Sequence, residues 1–194
     1  MMKYEYKIAK VNDLAVATKE DEKTGQKRVT TVSLQGEALA PSERFWTSLY
    51  ARYGFNGSFF KYFRHDEVFG RIASVETDRL RLCIERHEET GDGRLLAVSN
   101  PNKPIVRHDD LLGTLSRYQA DRVACVDGVI ESTHLPRTGG SAFNICGDAF
   151  SNRFVLSVPI DGYGSPNIYL SLLRHVCSNG AVGYTKAFRS SLAL

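Results

Sequence analysis

A few stretches of this chain carry residue types that can do chemistry. Near the end, Leu172-Leu173-Arg174-His175-Val176-Cys177-Ser178-Asn179-Gly180 sets a His and a Cys two residues apart in an apolar run. In a strand those two positions share a face, so a thiolate with a neighbouring base is one reading. Cysteine catalysis also needs a third group to orient the base, and an oxyanion site. The sequence supplies only the proximity, so a buried thiol beside a partly exposed imidazole is preferred. His65-Asp66-Glu67 and His108-Asp109-Asp110 are rich in metal-ligand types, which keeps a metal-dependent enzyme open as an alternative. Adjacent residues on a helix do not share a face, however, and acids in a first turn complement the helix dipole. Both triplets are therefore expected to be helix starts, with no metal and no cofactor.

The run Phe55-Asn56-Gly57-Ser58-Phe59-Phe60-Lys61-Tyr62-Phe63-Arg64 interleaves aromatic and basic residues, with Arg52 before it and Arg71 after it. Single-stranded nucleic acid is held in this way. Cations neutralise phosphates and rings stack on bases, each stack contributing roughly 1–3 kcal/mol. The candidate contacts are Arg52, Lys61, Tyr62, Arg64 and Arg71; Phe59, Phe60 and Phe63 also suit the core side of a short helix. A second basic set, Arg137, Arg153, Arg174, Lys186 and Arg189, comes from loops and strand ends. It reads either as solvated charge, the preferred reading, or as the lining of a groove with two Gly-rich loops. There is no phosphate-binding Gly-Lys-Ser/Thr loop, no G-x-G-x-x-G, no G-x-S-x-G, no H-E-x-x-H and no EF-hand loop. Those absences weigh against nucleotide hydrolysis, dinucleotide-dependent redox chemistry, α/β-hydrolase chemistry and zinc proteolysis.

The elements that must position these residues follow from patterning. With 194 residues, 42% of them hydrophobic, the chain can bury one sizeable core, and residues 1–194 are expected to form a single domain. A net charge of +3 is too small to mark a duplex-coating protein. No apolar run approaches about 18 residues, so no membrane span is expected. Cys83, Cys125, Cys146 and Cys177 form no Cys-x-x-Cys pair and are expected to be buried thiols in a reducing cytoplasm. Residues 1–27 are polar and charged, and Lys19–Lys27 reads as a solvated loop or hairpin tip. A helix-rich part spans 40–76. Its first helix begins near Ala40-Pro41-Ser42-Glu43 and carries Phe45, Trp46, Leu49, Tyr50 and Tyr53 inward, with Arg44, Thr47, Ser48 and Arg52 outward and Gly54 at its end. Ser58–Phe63 and Asp66–Val75 follow as helices, the latter with Val68, Phe69, Ile72 and Val75 inward. A hairpin-rich part spans 79–185, with Asp127-Gly128 as its strongest turn and Ile168–Cys177 open between strand and helix. The fold class is α+β: a mainly antiparallel sheet of hairpins with three to four helices packed on one side. The apolar end Ser190–Leu194 leaves a native and a truncated C-terminus both open.

Cys177-Ser178-Asn179-Gly180, following an apolar strand that contains Arg174, resembles a recurrent motif, Arg-hydrophobe-hydrophobe-Cys-Ser/Thr/Gln-Asn-Gly. It occurs in a phage/plasmid-like family of bacterial proteins of unknown function. That family usually has an Asn-Ser-x-Asp-Gly-Ser-like loop before the motif. The counterpart here, Pro159–Ser165, lacks the Asn-Ser pair, and His175 stands where the family tends to be apolar. The resemblance covers residues 140–182 and brings no activity or catalytic residue with it. The family's association with mobile elements implies an accessory role in DNA transactions. Apart from the family, Asn179-Gly180 suits a tight type I′ turn with Val176 facing Val182, and this structural role is preferred. The expected function is a nucleic-acid-associated accessory protein of a mobile element, binding single strands in the cytoplasm; a homo-oligomer is also expected. The alternatives are a structural or protein-interaction component, using the aromatic surface around Trp46 and Phe59, and the metal-dependent enzyme.

Overall fold

Alternating side chains and glycine-containing turns build most of the chain into β-strands. The computed structural model describes residues 2–20, 22, 25, 27–137, 142–176 and 181–191; for Lys61, 173–176, 181–189 and 191 the backbone alone is described. The chain forms two compact units. One comprises Met1–Ile105 together with Asp161–Tyr163, the other Val106–Ile160 together with Gly164–Leu194.

The first unit is a six-stranded sheet covered by helices. Its strands are β1 (Met2–Lys10), β2 (Leu14–Glu20), β3 (Lys27–Leu34), β4 (Glu37–Pro41), β5 (Arg79–His87) and β6 (Gly93–Ser99), in the order β1-β5-β6-β4-β3-β2. Every neighbouring pair is antiparallel except β4–β6. Lys19, Glu20 and Lys27, expected in a loop or hairpin tip, are the paired ends of β2 and β3. Charges on β1 find opposite charges on other strands: Arg86 Nε, on the adjacent β5, donates to Glu5 at 2.9 Å, and Lys7 Nζ to Glu37 of β4 at 3.3 Å. Cross-strand pairing of this kind makes a Lys/Glu-rich stretch a workable strand.

Two helices, α1 (Glu43–Arg52) and α2 (His65–Val75), lay apolar stripes on this sheet. Phe45, Leu49, Tyr50, Val68, Phe69 and Ile72 share one core with Leu39, Leu80, Leu82, Ile84, Leu95 and Val98. Val75 was expected inward but is 77% exposed, because α2 ends there, beyond its last buried turn. Gly54, at φ +77°, takes the left-handed conformation that ends α1. Ser48 was expected outward and is buried, for a reason that lies in β6. Cys83 pairs with Ala97 while Ile84 pairs with Leu95, so Leu96 is an extra, bulged residue. A bulge leaves backbone groups without ladder partners. Here α1 supplies them: Ser42 N donates to Leu95 O at 2.9 Å, Ser42 Oγ to Leu96 O at 2.8 Å, and Val98 N to Ser48 Oγ at 2.8 Å. Ser42 Oγ also accepts from Phe45 N at 3.0 Å, as the N-cap of the helix.

The second unit carries the remaining strands, β7 (Arg122–Val126), β8 (Val129–His134), β9 (Ala142–Ile145), β10 (Asp148–Pro159), β11 (Asn167–Val176) and β12 (Ala181–Ser191), with α3 (His108–Arg117). The order is β12-β11-β10-β8-β7, all antiparallel. The long β10 pairs with β9 over Asp148–Ser151 and with β8 over Phe154–Pro159. Asp127-Gly128 closes the β7–β8 hairpin as expected, with φ +47° and +74°. Cys146-Gly147 turns the β9–β10 hairpin the same way. The stretch left open between strand and helix is strand. In register Val176 opposes Ala181 and His175 opposes Val182, so Val176 and Val182 do not face each other. Cys177, Ser178, Asn179 and Gly180 themselves lie outside the described residues. α3 buries Leu111 and Leu115. The fold is α+β with mainly antiparallel sheets, and no described helix is long and apolar enough to cross a membrane.

Candidate functional site

The aromatic run folds into a layered cluster against α1 and α2. Tyr50 lies 4.2 Å from Phe60 between ring centroids, Phe60 stacks on His65 at 4.6 Å, and Phe63 stacks on Phe59 at 4.6 Å. Phe55, Phe59 and Phe60 pack against the core, which accounts for much of the run's aromatic content. The Tyr50 hydroxyl donates to His65 O at 3.1 Å, leaving its oxygen to accept from His65 Nδ1, also at 3.1 Å. Burial holds the His65 imidazole below its ordinary pKa, with Glu43 and Asp66 pulling the other way. A base with a lowered native pKa binds protons better unfolded than folded. Stability is therefore expected to fall as pH drops below about 6.5, the unfolded value, towards the lower native one. Thermal unfolding between pH 7.5 and 5 measures this; in His65→Gln that part of the slope should vanish.

The candidate contacts are distributed as follows. Arg52 is the last residue of α1; it bonds Asp78 at 3.1 Å and lines a pocket of about 350 Å3 with Asp78, Arg79, Asn100 and Asn102. Lys61 ends a short 3-10 helix, Gly57–Lys61. Tyr62 is 84% exposed and Phe63 42%. Arg64 is tied to Asp66 at 3.0 Å and Glu67 at 3.2 Å. Arg71 is exposed and has no ion-pair partner among the described residues.

One functional-looking feature escaped the sequence reading. Asp161, from the second Gly-rich loop, is completely buried in the first unit, where Arg44 grips it. Arg44 Nε donates to one carboxylate oxygen, Arg44 Nη2 to the other at 3.2 Å and also to Tyr163 O at 2.6 Å. Tyr163 N closes the ring onto Asp161 Oδ1 at 2.9 Å, and the guanidinium lies 5.1 Å from the centre of the Tyr163 ring. Gly162 sits between them at φ +80°, where an added Cβ would come within 2.6 Å of Ser99 Oγ. The one signal in the sequence was an acid closing the apolar run Val158-Pro159-Ile160. Arg44 was expected to face solvent; the loop containing Asp161 supplies it with a partner instead.

Of the two His-acid triplets, Asp66 and Glu67 occupy the first turn of α2, and Asp109 and Asp110 the first turn of α3. Among the described residues no three His, Cys, Asp or Glu side chains gather as a metal site. Cys83 is buried as expected, but Cys125 and Cys146 are exposed, the latter because it occupies a turn. In the second basic set, Arg137 bonds Tyr118 O and Gln119, while Arg153 opposes Ser171 on the sheet. In backbone register Lys186 opposes Ser171 and Arg189 opposes Tyr169 on the next strand. Arg174 opposes Phe150 and Gly183 in backbone register, three positions along from the Arg153–Ser171 pair.

No known protein family, no curated protein and no solved structure matches this chain.

Proposed function

We propose that the chain is a nucleic-acid-associated accessory protein that binds single strands through its first unit. The observation that carries the reading is Tyr62, a large ring 84% exposed in a segment where most other aromatics pack inward. Beside it Phe63 presents part of its ring, backed by Phe59. An exposed ring offers a sequence-tolerant stacking surface for bases, and Arg71, Arg64 and Lys61 supply cations for the phosphates. Arg52 and Arg79, in their polar pocket, add further positive charge on the same unit. The motif Cys177–Gly180 and its resemblance to the phage/plasmid-like family support a role with a mobile element. Binding to fluorescent oligothymidylate is expected to weaken steeply with salt, because each phosphate contact releases a condensed cation. Tyr62→Ala should cost roughly 1–3 kcal/mol of binding with the salt slope unchanged, whereas Arg71→Ala should reduce that slope by about 0.7. Absence of binding at low salt, or binding indifferent to both variants, refutes the reading.

A further inference from the structure

One face of the second unit's sheet holds a pocket of about 390 Å3, a volume in the range of small-molecule sites. Its floor is buried: Val155, Tyr169 and Ser171 are 7%, 8% and 3% exposed. Over that floor stand two arginines from different strands, Arg122 on β7 and Arg153 on β10. Neither has a partner among the described residues, and Arg153 Nε is buried with its hydrogen unmatched. A buried donor without an acceptor is costly, so no interaction within the described residues holds this guanidinium in place beside the pocket.

Register orders the lining along the strands. Arg153 pairs with Ser171; two residues on, Val155 pairs with Thr133 and Tyr169, and Thr133 with Arg122. Two residues further, Ser157 pairs with Glu131, and Glu131 with Ala124. One end of the pocket thus collects two guanidiniums with the Ser171 and Thr133 hydroxyls. The other end, about 14 Å from Arg153 at the rise of an antiparallel strand, has Glu131 with Ala124 and Val126. The Tyr169 hydroxyl hydrogen-bonds Glu131, which fixes the position of that carboxylate.

We propose that this pocket binds a small phosphomonoester on a planar organic body, the phosphate taken by Arg122 and Arg153 and the body lying over Val155 towards Glu131. Two planar donor forks and two hydroxyls match a dianion with three terminal oxygens, whereas a carboxylate would occupy only one fork. The apolar floor accepts a flat ring, and Glu131 accepts a hydrogen bond from an amino or hydroxyl group on it. Adenosine monophosphate, adenosine and inorganic phosphate are the probes, titrated calorimetrically into the full chain in phosphate-free buffer. The monophosphate should bind, and adenosine and phosphate should each bind at least roughly tenfold more weakly. Arg153→Gln and Arg122→Ala should each weaken monophosphate binding by a similar factor. Arg122 is exposed on the edge strand β7, so its variant folds whatever becomes of Arg153→Gln. Tyr62→Ala should leave the monophosphate affinity unchanged, which separates this site from strand binding by the first unit. No binding of the monophosphate, equal affinity for adenosine or for inorganic phosphate, or an unchanged affinity in Arg122→Ala overturns the proposal.

Discussion

Arg44→Ala is expected to lower the unfolding free energy by about 3 kcal/mol at neutral pH, the lower end of what breaking a buried ion pair costs. The lower end applies because Arg44 keeps 25% of its side chain in solvent while Asp161 keeps none. The substitution leaves a carboxylate in the interior held by backbone amides, Tyr163 N among them, with no counter-charge from Arg44. Burial already pushes the Asp161 carboxyl up from its ordinary value, and Arg44 is the chief opposing influence. Without Arg44 the native carboxyl should titrate higher still. A native acid that holds its proton more tightly than the unfolded chain gains stability as pH falls through the native pKa, and the gain is complete below the unfolded value of about 3.9. The deficit of Arg44→Ala relative to the parent should therefore shrink on acidification. Asp161→Asn keeps the shape without the charge; its loss should be smaller and flat across the same window. Denaturant unfolding of the three proteins at pH 7 and pH 5 decides the matter. A deficit that grows on acidification would contradict the buried-carboxylate account.

Ser42→Ala should cost about 2–4 kcal/mol, large for the loss of one hydroxyl. Two contributions combine. The N-cap bond to Phe45 N is lost, worth about 0.5–2 kcal/mol, and Leu96 O is stranded on the bulge of β6, worth about 1–3 kcal/mol. Both groups are buried, so water cannot easily replace the hydroxyl. Ser42→Thr keeps an oxygen at the same place and should recover most of the loss. Thr47→Ala serves as the comparison: Thr47 also bonds a backbone carbonyl, Glu43 O at 2.9 Å, but in solvent, and should change stability by less than about 0.5 kcal/mol. Equal losses for Ser42→Ala and Thr47→Ala in denaturant melts would show that the bulge needs no such support.

What the sequence made legible was what depends on near neighbours. Phe45, Trp46, Leu49 and Tyr50 announce α1 by spacing alone, and Asp127-Gly128 announces its hairpin because few residue pairs tolerate two positive φ angles. Features that depend on register or on distant segments were hidden. Ser48 and Arg44 lie off the aromatic stripe of α1, so a helical wheel sends both to solvent; a bulge about 50 residues later and a loop about 115 residues later bring each a partner. The first strand was not assigned because Lys3, Glu5 and Lys7 read only as polar and charged until Arg86 and Glu37 are known to lie beside Glu5 and Lys7. The aromatic-basic run was legible only as a composition. Sequence could not separate Phe60, packed against Tyr50, from Tyr62, which points outward, because a short 3-10 helix has no periodicity long enough to read. The pocket on the second unit was the least legible of all, since its arginines sit 31 residues apart and meet only through the pairing of β7, β8 and β10.

The three residues Asp161–Tyr163 have a consequence for how this protein can be divided. They belong to the first unit, yet they are encoded after the whole of the second unit's first segment, 106–160. A polypeptide ending at Ile105 would contain the sheet, both helices and Arg44, but not the carboxylate that Arg44 grips. No single cut releases the first unit whole. The shortest contiguous piece that holds all of it runs to Tyr163 and carries residues 106–160 as a passenger. The two units are therefore not interchangeable cassettes, and a transplant or deletion designed at residue 105 would transfer an unpaired arginine along with the fold.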